Sequence, residues 1–371
     1  MKTTTYGVYA MSQQKKIVHY PSYLQLDKIL TAQLRESELQ NAPAHDEMLF
    51  IITHQAFELW FKQIMVELET IIDFFDTEYV HETNVATAVK RLDRINKIFD
   101  LIVQQFAILE TMTALDFMDF RDMLHPASGF QSAQFRVLET RLGLPDGRRI
   151  NKNFIESLTQ YEQSHLKDIG HKPTLFEVVQ RWLEKMPFME EGDFQFWQQY
   201  KDVVTSAFEK DRHDIHNIAI ASDEEKNARL AEIELAQKHF EAFFDENEYQ
   251  QLVLNGKRRF SQRATLASLF IFLYRDYPLL QIPFQFLHNI VTLEQNFSLW
   301  RYRHGLMAQR MIGSRIGTGG SSGVGYLMHT AMKQRIFDDL VNISGMLIPR
   351  TSIPPLPDTL AKKLDFVYSE R

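Results

Sequence analysis

The chain contains no cysteine. Disulfides, thiolate nucleophiles, iron–sulfur clusters and thiolate-ligated metals are therefore excluded, and any cofactor must be held by other donors. Turn formers are scarce: fifteen glycines and twelve prolines stand in 371 residues, where average usage gives about 45 of the two together. So few turns in so long a chain predict an all-α fold, with helices packed as a bundle. Long apolar runs are missing too. The longest, Leu269 to Tyr274, falls far below the ~18 residues of a membrane span. Met1 to Tyr20 is polar and mildly basic, without the apolar segment of a signal peptide. These features predict a soluble cytoplasmic protein with no membrane partner. A formal net charge of −7 gives no electrostatic ground for nucleic acid as a partner.

What the chain does have is apolar mass, 44% hydrophobic residues and 28 phenylalanines, enough for a sizeable packed core. Its length suits one large domain or two modest ones. From Ala44 to His125 there are 82 residues without Gly or Pro, a stretch that as one helix would run roughly 120 Å, so it must fold back. Phe50, His54, Phe57, Phe61, Ile64 and Leu68 draw one apolar stripe at steps of three and four; Leu92, Ile95, Phe99, Ile102, Phe106 and Leu109 draw a second. A break near Thr83 and Asn84, both good helix caps, makes the pair an antiparallel hairpin. Pro126 and Gly129 end the run. Residues 151–220 read as a small helical insert in which Pro173 opens and Pro187 closes an amphipathic helix. Helix resumes over 221–255, 266–274 and 284–311. No strand-like alternation or internal repeat is found.

Seven of the fifteen glycines fall in the 21 residues from Gly305 to Gly325. Gly317-Thr-Gly-Gly-Ser-Ser-Gly323 lacks the Lys-Ser/Thr of a P-loop and the spacing of a dinucleotide fingerprint. It reads either as a flexible connection or as a closure whose N–H groups and hydroxyls at Thr318, Ser321 and Ser322 hold a small polar ligand. His304 precedes it on a face with Phe297, Trp300, Met307 and Met311. It reads either as a core histidine or as the proximal ligand of a haem, with Gly305 leaving room for a flat group and Arg301, Arg303, Arg310 and Arg315 available for that group's carboxylates. His54 has the same two readings, core or distal pocket. Arg121 either pairs with Asp119 or Asp122 or clamps a substrate carboxylate. His213 and His216 lack a third well-spaced ligand and read as a solvated turn. No G-x-S-x-G or H-E-x-x-H motif gives hydrolase chemistry a foothold.

Five segments resemble the tryptophan 2,3-dioxygenase family: Tyr20-Pro-Ser-Tyr-Leu-Gln-Leu-Asp-Lys28, His45 to Gln55 with Glu58-Leu-Trp60, Phe120-Arg-Asp122 followed by Pro126 to Ser132, Trp300-Arg-Tyr-Arg-His304, and Gly317 to Gly323. They stand in the family's order over nearly the whole chain. The resemblance implies haem b with His304 as its axial iron ligand, Trp300 packed beside it and Ser128 at the haem edge. It implies His54 as the distal histidine near the indole N–H, Phe50 and Phe117 as walls of the indole pocket, Arg121 on the amino-acid carboxylate and Thr318 on the carboxylate and ammonium end. Tyr20, Tyr23 and Leu24 match residues that reach into a neighbouring subunit's site, implying a homotetramer, a dimer of dimers. The domain division that follows is an arm over 1–43, a haem-binding core over 44–150 and 221–371, and the insert over 151–220. The implied reaction adds both atoms of O2 across the indole C2–C3 bond of L-tryptophan to give N-formyl-L-kynurenine, the first step of tryptophan breakdown through kynurenine. A monooxygenase on the same scaffold, and a haem or tryptophan sensor without turnover, are the competing readings.

Overall fold

The reversal demanded by the Gly-free stretch falls at residues 76–81 in a computed structural model, which describes residues 17–145, 147, 158–191, 194–217, 222–313, 315 and 323–366. An arm of three short helices, α1 (Tyr20–Leu24), α2 (Leu26–Ile29) and α3 (Glu36–Leu39), leads into the long pair α4 (Glu47–Phe75) and α5 (Glu82–Leu109). Phe57, Phe61, Ile64 and Leu68 on α4, and Leu92 to Leu109 of the second stripe, are buried as their spacing requires. The hairpin turns earlier than Thr83 and Asn84 suggest. His81 is the N-cap of α5 and makes no side-chain cap. The turn is closed upstream, where the Thr77 hydroxyl donates to Phe74 O and Tyr79 O at 3.3 and 3.0 Å and Lys185 Nζ donates to Glu78 O at 2.6 Å.

Side-chain caps set the next starts. Thr113 and Asp116 form a capping box at α6 (Ala114–Arg121), and Ser132 caps α7 (Ala133–Leu142). Gly143 ends α7 at φ 105°, where a Cβ would lie 2.6 Å from Phe176 Cβ, so both backbone and space require glycine. Helix α8 (Gln160–Ile169) precedes α9 (Leu175–Glu184), whose Leu175, Val178, Val179 and Leu183 are buried where α9 packs on α4 and α13. A two-residue antiparallel pair, Glu190–Glu191 with Phe194–Gln195, is the strand content of the described residues. The packed pair α10 (Phe196–Asn217) and α11 (Asp223–Phe244) follows, then α12 (Glu246–Leu254), which starts at Asp245 because that carboxylate caps it through Glu248 N at 2.9 Å.

Helices α13 (Gln262–Leu273) and α14 (Pro278–Ile312) complete the core with α15 (Gly323–Lys333), α16 (Asp338–Val341) and α17 (Asp358–Leu364). The sequence places the start of α14 at Phe284, yet it begins at Pro278 and runs through Pro283. So near the N-terminus, proline costs one backbone hydrogen bond and the rest of a 35-residue helix absorbs it. The most extensive packing is α14 on α5 and α5 on α4, with α15 lying along α14. No single helix among the described residues is long and apolar enough to cross a membrane.

A buried ion triad ties α7 to α14. Glu139, 1% exposed, accepts from Arg136 Nη1 at 2.8 Å and Arg301 Nη2 at 2.6 Å. Arg301 also donates to Gln334 O at 2.8 Å and lies 4.1 Å from the Phe297 ring centroid. Removing the negative centre takes from two buried guanidiniums the carboxylate they share. We expect Glu139→Gln to lower unfolding stability by about 3–5 kcal/mol in chemical denaturation; a midpoint matching wild type would show that the triad does not hold these helices.

Candidate active site

Phe50 and His54 are the members of the α4 stripe that core packing leaves only partly covered. They border an internal cavity of about 210 Å³, against the roughly 10–15 Å³ that one water needs. This is space for a ligand rather than a packing void. Phe117 and Arg121 from α6, Ser128 from the turn before α7, and Trp300 and His304 from α14 border the same cavity. Tyr20, Tyr23 and Leu24 do not; they sit on α1, with the two tyrosines 71% and 73% exposed. Thr318, Ser321 and Ser322 lie outside the described residues.

The cavity wall is aromatic. Phe50 lies 4.1 Å from the His54 ring and stacks on Phe117 at 5.6 Å and 29°. Trp300 meets Phe57 and Phe61 edge-on at 5.9 and 5.5 Å. Such offset and edge-on pairs fix ring planes as well as burying area, and they leave a mainly apolar slot.

Two imidazoles interrupt it. His54 Nδ1 is 2.7 Å from Phe50 O. A carbonyl can only accept, so Nδ1 carries the proton and Nε2 is left with its lone pair. Burial lowers the His54 pKa below its usual value, partly opposed by the bond to Phe50 O and the charge of Glu58. His304 packs against Phe106 at 6.0 Å and Trp300 at 5.4 Å. Burial, then His54 and the positive charge of Arg136, push its pKa down to about 4. Both rings are therefore neutral near pH 7. A metal ligand must be a neutral imidazole, and His304 has no hydrogen-bond partner among the described residues. With an apolar slot beside it, the donor set fits a haem, whose plane is apolar and whose iron takes a neutral imidazole.

Two expectations about this region are corrected. Gly305 does not leave room for a flat group. A Cβ there would meet Met328 Sδ at 3.3 Å and Leu327 Cβ at 3.4 Å, so the missing side chain lets α15 approach α14. Arg301 and Arg303 are not held in reserve for a ligand's carboxylates; Arg301 is committed to Glu139, and Arg303 Nη2 donates to Glu110 at 3.0 Å. Arg121 borders the cavity and reaches Asp122 Oδ1 at 3.2 Å, a partner 92% exposed. His216 Nδ1 lies 2.8 Å from Arg212 O on the exposed end of α10, with no metal-type cluster of donors among the described residues.

Sequence reasoning missed Glu58, Phe106, Arg136, Glu139 and Gln334, all of which border the cavity. Arg136 and Glu139 carried a signal, a charge pair one turn apart beside the apolar Phe135, Val137 and Leu138.

A family profile described as tryptophan 2,3-dioxygenase matches residues 7–347. A tryptophan 2,3-dioxygenase of Bdellovibrio bacteriovorus is 45% identical over 354 residues, 95% of this chain and 99% of that protein. One from Alteromonas mediterranea is 43% identical over 351 residues, 94% of this chain and 97% of the relative. Tryptophan 2,3-dioxygenase B of Danio rerio is 41% identical over 348 residues, 92% and 85% of the two chains. With its helical core, its cavity and likeness of this extent, the chain belongs to the tryptophan 2,3-dioxygenase family.

Proposed function

We propose that the protein adds both atoms of O2 across the indole C2–C3 bond of L-tryptophan, releasing N-formyl-L-kynurenine, with haem b ligated by His304. Cleavage of tryptophan by an oxidoreductase follows from the family. The observation that carries the finer reading is a pair of neutral imidazoles, one each on α4 and α14, at a single aromatic-walled cavity. When bound, ferrous haem would supply the O2 site, and the electrons that reduce O2 come from the indole C2–C3 bond that is cleaved, so no external reductant is consumed per turnover.

The chain's own residues orient the substrate. Phe50 and Phe117, stacked on each other, wall the indole pocket, and the apolar face of the indole matches that wall. Arg121 receives the carboxylate with its planar fork, exchanging an exposed and long contact to Asp122 for a shorter charge-assisted pair. Thr318 adds a hydroxyl to the carboxylate and ammonium end, and Ser128 stands at the haem edge. His54 Nε2 accepts the indole N–H. An imidazole of depressed pKa is far too weak a base to remove that proton, so His54 positions the ring rather than ionising it.

The same reading makes the protein a cytoplasmic homotetramer, a dimer of dimers, in which Tyr20, Tyr23 and Leu24 of the 1–43 arm complete a neighbour's site. The exposed tyrosines support this, as do Ile52, Leu59 and Val66, which stand 50–56% exposed at seven-residue steps along the outer side of α4. Residues 44–150 and 221–371 form the haem-binding core, joined by α9 to the 151–220 insert.

Haem-loaded ferrous protein given L-tryptophan should consume one O2 per product, with the product heavier than tryptophan by two oxygen atoms; no uptake overturns the reading, as does stable haem retention by His304→Ala for the ligand assignment. Arg121→Ala should raise the tryptophan KM about 10- to 150-fold, the equivalent of roughly 1.5–3 kcal/mol for a charge-assisted bond. An unchanged KM would put the carboxylate elsewhere. Removal of residues 1–25 should cost most of the activity while haem binding persists, and a fully active truncation would refute the arm's role.

A further inference from the structure

We infer that Glu58 is a positioning residue for the proposed oxygenation, holding the His54 wall of the cavity at a set distance from the Ser128 turn through Ser132 and Gln134. The inference deepens the functional reading above and rests on it.

Glu58 stands one helical turn beyond His54 on α4, and both border the cavity together with Ser128, Gly129 and Ser132. A carboxylate at the edge of an apolar slot calls for an explanation, and its bonds supply one. Ser132 Oγ donates to Glu58 Oε1 at 2.6 Å, and Gln134 Nε2 donates to Oε2 at 2.8 Å and to the Glu58 backbone oxygen at 3.1 Å. Each carboxylate oxygen thus holds a donor, which suits anchoring rather than proton transfer. Bonds to an ionised acceptor are also roughly twice as strong as neutral ones.

The other end of this clamp is the turn itself. Ser132 Oγ accepts from Phe135 N at 3.2 Å as the α7 N-cap, and Ser132 N donates to Gly129 O at 3.2 Å. Gln131 closes the turn on both sides, its backbone N donating to Ser128 O at 2.9 Å and its Oε1 accepting from Ser128 N at 3.1 Å. A shift of Ser132 therefore carries Ser128 with it. The one hydroxyl of Ser132 serves α7 as acceptor and Glu58 as donor, so α4, α7 and the turn are registered at a single atom.

The test uses full-length haem-loaded protein and two readouts, the tryptophan KM against kcat and the C–O stretch of the ferrous carbon monoxide complex with tryptophan bound. Glu58→Ala should raise KM about tenfold, the loss of one charge-assisted bond, with a smaller effect on kcat and a shifted C–O stretch. Glu58→Gln keeps a carbonyl for Ser132 and should restore both readouts most of the way. Ser132→Gly withdraws the donor at little cost to the helix cap, so it should reproduce the Glu58→Ala change, and combining the two should add nothing further. Unchanged readouts in Glu58→Ala, or effects that simply add, would overturn the clamp; if that variant does not fold, Glu58→Gln and Ser132→Gly carry the same comparison. A wild-type chain that binds carbon monoxide but does not oxidise tryptophan would instead refute the function, leaving the C–O shift to decide the clamp.

Discussion

One ring holds the two walls of the cavity in register. Phe106 on α5 lies 5.2 Å from Phe57 on α4, and 5.8 and 6.0 Å from Trp300 and His304 on α14. Helices α4 and α14 are far apart in sequence, and each packs extensively on α5, with Trp300 also meeting Phe57 and Phe61 directly. The relation between His54 and His304 is thus set by the width of the middle helix and by rings filling the space, which resists small displacement because close-packed interiors have little free volume. Withdrawal of both imidazoles from water then keeps them neutral, so the helix packing produces the electrostatic state that the site chemistry needs.

A second theme is the use of acidic side chains to fasten irregular backbone to helices. Glu47 accepts from Glu36 N and Ser37 N at 2.8 and 3.0 Å, pinning the arm to the start of α4. Glu294 accepts from Ile336 N and Phe337 N, both at 3.0 Å, and burial raises its pKa. Asp339 accepts from Arg259 N and Phe260 N, both at 2.7 Å. All three are nearly inaccessible. In a chain poor in glycine and proline, segments between helices have few built-in turns, and a buried carboxylate satisfies paired N–H groups that would otherwise be orphaned, Glu47 with both oxygens and Glu294 and Asp339 with one.

The apolar stripes were legible because a helix buries one side, and spacing at three and four residues records which side. Phe57 and Leu92 needed no more than that. His54, His304 and Arg121 stood out as polar residues in apolar surroundings, although spacing alone left each with two meanings and the family resemblance chose between them. The link from Glu139 to Arg301 was not legible, since the two lie 162 residues apart and no local pattern encodes a contact of that range. Gly305 was misread for the same reason: its neighbour, Met328, belongs to a later helix. The start of α5 falls ahead of Thr83 and Asn84 because Thr77 closes the turn from within and the remote Lys185 holds it from outside.

Helix α4 carries the cavity on one side and the exposed row of Ile52, Leu59 and Val66 on the other. It is a straight-through rod of 29 residues with no glycine or proline to act as a joint. A rod of this kind has no independent sides. Whatever covers the outer row also braces the wall that holds Phe50 and His54, so residues that never meet the substrate share in setting the shape it encounters.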